Sequence, residues 1–222
     1  MKKIDVLDLL NEARLSLSRN WGKSALLTLS YVGLLLVAYF VLYLLLALCG
    51  MDLDSDATSI FELPIDIFLD FPLSFGFSLV FLWFVKENKS FEMKDVFSAF
   101  NNTYYWKSIG VSLLMVIYVV LWALLLIIPG IVKAMSYSMA MYIIAENPEM
   151  TAEKAIQRSM KMMEGHMWEM LLLWLIGVGL VILSALTLFI GMLWIYPWLE
   201  VTMVKFYLYV KEDYESRAVL AE

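Results

Sequence analysis

The sequence predicts an all-α, polytopic integral membrane protein with six spanning helices and both termini in the cytoplasm. Three observations carry that expectation. Of 222 residues, 62% are hydrophobic and only 17% charged, too apolar a balance for a soluble domain of this size. Uncharged stretches run from Ser24 to Met51, Phe71 to Val85, Ser108 to Val132, Ala134 to Ala145 and Met170 to Leu199, and about 20 apolar residues cross about 30 Å of hydrocarbon. All of the sixteen Lys and Arg residues except Lys133 and Lys205 fall in segments that this alternation places on one side, which the positive-inside bias makes cytoplasmic.

The chain reads as one membrane domain, 1–222, built from three pseudo-repeated hairpin units, 1–86, 87–150 and 151–222. Each unit has an amphipathic cytoplasmic leader, a long helix opened by Trp (Trp21, Trp106, Trp168) and a shorter helix opened by Pro (Pro72, Pro129, Pro197). The Trp residues stand where indole rings favour the membrane interface. In the first unit, Val6, Leu10, Ala13 and Leu17 give the leader an apolar face. The first spanning helix follows a charged 23-residue segment and is longer than a signal-peptide core, so it is expected to stay in the membrane uncleaved.

The next segment holds Asp52, Asp54, Asp56, Glu62, Asp66 and Asp70 and no base, so it lies outside. Asp52, Asp54 and Asp56 match the first three acidic positions of a calcium loop, but Ala57 stands where that loop needs Gly and Leu63 where it needs Glu. Glu62, Asp66 and Asp70, spaced by four, form one acidic stripe, read as a solvated face on an interfacial helix interrupted or started by Pro64. The Pro72 helix has fifteen uncharged residues, about 22 Å, so it should start below the outer surface or thin the bilayer.

In the second unit Met93, Val96, Phe97 and Phe100 mark the leader, and Ile128-Pro129-Gly130 turns the hairpin. In the third, Ala152, Ile156, Ser159 and Met163 mark the leader, Gly165 ends it, and the hairpin turns between Thr187 and Gly191. Lys86 follows Pro72 by fourteen residues and Lys211 follows Pro197 by fourteen, whereas Glu146 follows Pro129 by seventeen. Ser74, Gly76 and Ser78, with Ser136, Ser138 and Ala140, permit close helix approach in lipid, so the Pro-led helices should form the interior and the Trp-led ones face lipid.

Lys133 and Glu200 lie four and three residues past a hairpin proline, at similar depth, and are expected to form an intramembrane charge pair or polar site. Lys205 can snorkel to the cytoplasm. His166 is the single histidine; with Met160, Met162, Met163, Met167 and Met170 it suggests a soft-metal set, for which ordinary packing is the simpler account. Neither a zinc hydrolase nor a catalytic triad can be assembled around one histidine, and Cys49 alone supports no disulfide or thiolate cluster. No catalytic residue, metal or cofactor is therefore expected. A net charge of −6 argues against nucleic acid, which leaves membrane lipids and a protein partner or second copy of the chain.

At Leu125 to Ala140 (LLIIPGIVKAMSYSMA), followed by Ala145 to Glu149 (AENPE), the chain resembles a family of bacterial multi-pass membrane proteins catalogued as domain of unknown function 975. Asn20 to Lys23, Pro72 to Gly76 and Met163 to His166 extend the resemblance over nearly the whole chain. It implies a protein of the bacterial cytoplasmic membrane, distantly similar to the membrane domain attached to some glycerophosphodiester phosphodiesterases, with no catalytic or binding residues to carry over. The reading that follows is a non-enzymatic protein acting by packing, lipid contact or partner binding, in envelope maintenance or self-protection. The alternative is a small transporter or channel with a polar site around Lys133 and Glu200, lined further by Ser136 and Ser138.

Overall fold

The computed structural model describes residues 5–51 and 58–219, and among them there are helices and turns but no strand. The helices are α1 (Val6–Leu17), α2 (Trp21–Leu48), α3 (Thr58–Ile65), α4 (Phe71–Glu87), α5 (Tyr105–Leu125), α6 (Ile127–Tyr137), α7 (Ala140–Glu146), α8 (Ala152–Met163), α9 (Met167–Ala185) and α10 (Met192–Val219). A π-helical turn, Asp66–Asp70, joins α3 to α4, and a 3₁₀ segment, Met93–Phe100, follows α4. Five stretches are long and apolar enough to cross a membrane: Trp21–Leu48, Ile60–Glu87, Tyr105–Leu125, Ile127–Glu146 and Met167–Ala185. The 28-residue α10 is as long as any, but Glu200, Lys205 and its Tyr and Trp residues lower its hydropathy. It sits at the centre, packed on α1, α2, α4, α8 and α9.

Two of the amphipathic leaders are capped α-helices. Asp5 accepts the Leu7 N–H at the start of α1, and Thr151 accepts the Lys154 N–H at the start of α8, each satisfying a donor that the first turn leaves free. α1 buries Val6, Leu9, Leu10, Ala13 and Leu17, and packs on α10 and α9. α8 buries Ala155, Ile156, Ser159, Met162 and Met163 among α5, α6, α7 and α10. The leader of the second unit departs from expectation: Val96 and Ala99 are buried, while Met93, Phe97 and Phe100 are exposed. In the 3₁₀ geometry Val96 and Ala99 stand one turn apart on the packed side, and Phe97 and Phe100 turn away from it.

The second spanning stretch is longer than its fifteen uncharged residues suggest, because α3, the π-helical turn and α4 form one continuous helix. It therefore needs no thinned bilayer. Pro64 and Pro72 lie within it rather than opening it, and each removes an N–H from the helix ladder. The carbonyl of Phe68, four residues before Pro72, instead accepts the Tyr105 hydroxyl at 3.1 Å. Pro197 likewise falls inside α10, whereas Pro129 occupies the first turn of α6, where a missing N–H is no loss.

The expected fourth helix is broken at Ser138 and Met139 into α6 and α7. A single side chain mends the break: the Ser159 hydroxyl of α8 donates to the Ser136 carbonyl at 2.7 Å and accepts the Met139 N–H at 3.2 Å. Both groups are buried, so Ser159→Ala is expected to lower stability by about 1–3 kcal/mol, the usual effect of stranding buried polar groups. Denaturant unfolding in detergent checks this, and an unchanged midpoint would show that the bridge is dispensable.

Of the helices expected in the interior, α4 packs on α10 and α7, whereas α6 exposes Ile127, Ile128, Ile131 and Val132 and packs on α5, α8 and α9; α2, α5 and α9 carry exposed apolar faces such as Leu36, Val37, Phe40, Leu121, Leu175 and Val178. The small residues contribute unequally. Gly76 opens α4 to the 3₁₀ segment rather than to another Pro-led helix, because a Cβ there would collide with the Val96 carbonyl. The hydroxyls of Ser74, Ser136 and Ser138 turn back to carbonyls of their own helices, and Ala140 is fully buried.

Candidate functional site

The acidic stripe is not a solvated face. Tyr43, Tyr39 and Tyr31 of α2 donate their hydroxyls to Glu62, Asp66 and Asp70 respectively, the last at 2.8 Å. Acids at intervals of four occupy one helical face, and tyrosines separated by four and eight occupy one face of the antiparallel neighbour, so the two rows meet. That matched spacing across a hairpin is the signal by which the sequence could have disclosed them.

From Tyr31 the row continues inward to α10. The Tyr31 ring stacks on Tyr196 at 6.2 Å, and Phe77 of α4 lies against both, at 5.2 and 5.0 Å. One turn further along α10, Glu200 accepts the Tyr142 hydroxyl of α7 at 2.9 Å, and the Ser78 hydroxyl of α4 faces the same carboxylate. Side chains of α4, α7 and α10 thus meet on one acid. Among the described residues no base is within ion-pair distance of it.

Lys133, expected as its partner, lies elsewhere. Its ammonium sits over the Trp122 ring, 5.1 Å from the centroid, and 3.8 Å from the Met160 sulfur. The break after Tyr137 is the physical reason: α6 turns Lys133 toward α5 and α8, while α7 turns Tyr142 toward α10. Ser136 and Ser138 are engaged within α6, so the four residues expected to line one cavity do not assemble. Lys205 pairs with Glu12 of α1 at 3.5 Å.

At the lysine-rich end side chains of α4, α7 and α10 converge again. Tyr207 stacks on Tyr142 at 5.3 Å and donates to Glu146 at 2.6 Å. Glu146 also receives Lys86 at 2.5 Å and Lys211. Its side chain is 6% exposed against 46% and 23% for the two lysines. The equal Pro-to-Lys spacing in the first and third units thus places both lysines around the acid that stands in their place in the second.

A second cluster fastens the end of α10. His166 Nε2 lies 3.1 Å from Asp213, and Arg217 Nε 2.9 Å from the same oxygen. Arg217 also donates to the carbonyls of Glu164 and Met162. Burial would raise the Asp213 carboxyl, but the His166 hydrogen bond and the Arg217 charge outweigh it and hold it below the usual range. The methionines near His166 have separate neighbours: Met162, Met163 and Met170 are buried, Met160 lies at Lys133 and Met167 at Ser136. Among the described residues no group of three His, Cys, Asp or Glu side chains is placed to hold a metal, and Asp52, Asp54 and Asp56 lie outside them. Cys49 is exposed at the end of α2. Trp106 and Trp168 are exposed at the starts of α5 and α9, and Trp21 is half-buried at the start of α2.

The arrangement brings carboxyl groups within hydrogen-bond reach of phenol and serine hydroxyls. A family model described as protein of unknown function (DUF975) matches residues 1–136 and 124–214. No curated protein and no solved structure matches the chain.

Proposed function

Because the chain belongs to the family of proteins of unknown function DUF975, no activity is inherited from it, and we propose from the chain's own residues a small, non-enzymatic transporter or channel of the bacterial cytoplasmic membrane. Its six spans, with α10 as the sixth, form three pseudo-repeated hairpins with both termini cytoplasmic. The one-sided bases support this orientation, and the central packing of α10 supports its place among the spans, since polar residues of a spanning helix turn to the protein interior. One observation favours transport over a purely structural role: Glu200, without a cationic partner among the described residues, stands where α4, α7 and α10 meet, in line with a row of Tyr and acidic side chains. An ionisable group in that position is a functional-site candidate by default.

Water is the discriminating quantity. In a Cys49→Ser background, Ser78→Cys is expected to react with a small water-soluble thiol reagent in membranes, because only a hydrated thiol ionises enough to react. Ser55→Cys should react from outside only and Ser90→Cys from inside only. An inert thiol in the Ser78→Cys variant beside well-behaved controls would mean a dry interior, and would return the protein to packing, lipid contact or partner binding. Reversed controls would overturn the orientation.

A further inference from the structure

The side chains around Glu200 narrow what a pathway there can carry. Resting on the transport reading, we infer that the species moved is the proton, relayed through Glu200 and gated at the lysine-rich end by Glu146 with Lys86 and Lys211. The row holds Glu62, Asp66, Asp70 and Glu200 with the hydroxyls of Tyr43, Tyr39, Tyr31 and Tyr142, every one a group that can accept one proton and release another.

Larger or harder cargo fits poorly. Tyr31, Phe77 and Tyr196 pack ring against ring at 5.0 to 6.2 Å between Asp70 and Glu200, contacts that a solute would have to part. A metal cation would need its hydration shell replaced by several oxygens, and Glu200 has only the Ser78 and Tyr142 hydroxyls beside it among the described residues. An anion would meet carboxylates along the whole row. A proton needs neither bore nor shell, only hydroxyls and carboxyls that hydrogen-bond in sequence or through one intervening water.

Each transfer breaks one O–H bond and forms another. A proton taken up at the Glu62 end displaces one along the row, the Tyr196 hydroxyl or a single water carries it from Tyr31 to Glu200, Glu200 accepts it as a carboxylic acid and passes it on, and one proton leaves beyond Glu146. No other bond changes and no redox partner is needed. The exit is held by charge: Glu146 lies between two ammonium groups and the Tyr207 hydroxyl, so a proton can land on it only by displacing its salt bridges. The two lysines also repel a positive charge arriving from either side.

The full chain, reconstituted in phosphatidylethanolamine and phosphatidylglycerol vesicles with an internal pH-sensitive dye, tests this under an imposed pH gradient with potassium and valinomycin to dissipate charge. The expected result is acidification well above protein-free vesicles, reduced at least tenfold by Glu200→Gln, partly retained by Glu200→Asp, and raised severalfold by the double variant Lys86→Met with Lys211→Met. Retention of flux in Glu200→Asp separates lost chemistry from lost folding. Proton flux unaffected by Glu200→Gln would overturn the relay. Glu200-dependent flux of sodium, potassium or an organic solute without proton flux would overturn the proton and leave the transport reading standing. No flux of any species would remove both.

Discussion

Glu146→Gln is expected to lower the stability of the protein more than any other single change of charge. The carboxylate is almost fully covered and receives Lys86, Lys211 and the Tyr207 hydroxyl, so its removal leaves two ammonium groups facing each other without a counter-ion. A fully buried pair broken in this way loses about 3–5 kcal/mol, but the lysines reach water, so a loss of about 2 kcal/mol is the better expectation. The triple variant Lys86→Met, Glu146→Gln, Lys211→Met should recover most of it, because no charge is then left unpaired. Thermal unfolding of the single and triple variants in detergent is the measurement. If the triple variant loses as much as the single one, the helices are held together there by something other than the ion pairs.

Gly76→Ala should be comparably severe for a different reason. The added Cβ meets the backbone carbonyl of Val96 and then the Ala99 side chain, and a backbone atom cannot swing aside as a flexible side chain can. Parting α4 from the 3₁₀ segment would uncover Phe91, Val96 and Ala99, all buried. Overpacking of this kind costs about 1–3 kcal/mol, which exceeds the gain of about 1 kcal/mol in helix propensity when alanine replaces glycine. Gly110→Ala is the control: a Cβ there meets nothing within 4 Å, so propensity alone should act and the midpoint should hold or rise. Equal behaviour of the two variants would show that Gly76 is not a point of close approach.

The apolar stretches were legible because hydropathy is a local property: each window of residues carries its own preference for lipid or water. The faces of α1 and α8 were legible for the same reason, their periodicity lying within twelve residues each. What escaped depends on a second segment. Glu62, Asp66 and Asp70 read as the solvated face of an interfacial helix because three acids in a helix near lipid are unfavourable alone, and the tyrosines that relieve them stand on α2, nineteen to thirty-nine residues away in sequence. The pairing of Lys133 with Glu200 assumed that similar distance from a hairpin proline gives similar position, which fails because Pro129 lies in the first turn of α6 and Pro197 inside α10. Glu146 was visible only as the exception to a lysine spacing, and its neighbours are decided by how three helices pack.

The helix at the centre is also synthesised after all those it packs on. α10 occupies the final described stretch of the chain, so α2, α4, α7 and α9 must wait in the bilayer without their centre while synthesis proceeds. If α10 is the sixth span proposed above, its apolar character, diluted by Glu200 and Lys205, makes entry into lipid less favourable alone than beside helices that already offer Ser78, Tyr142 and Glu12 as partners. Assembly is thereby made conditional on the arrival of α10. A nascent chain cut short before it retains its apolar helices but leaves uncovered the faces of α1, α2, α4, α8 and α9 that pack on α10.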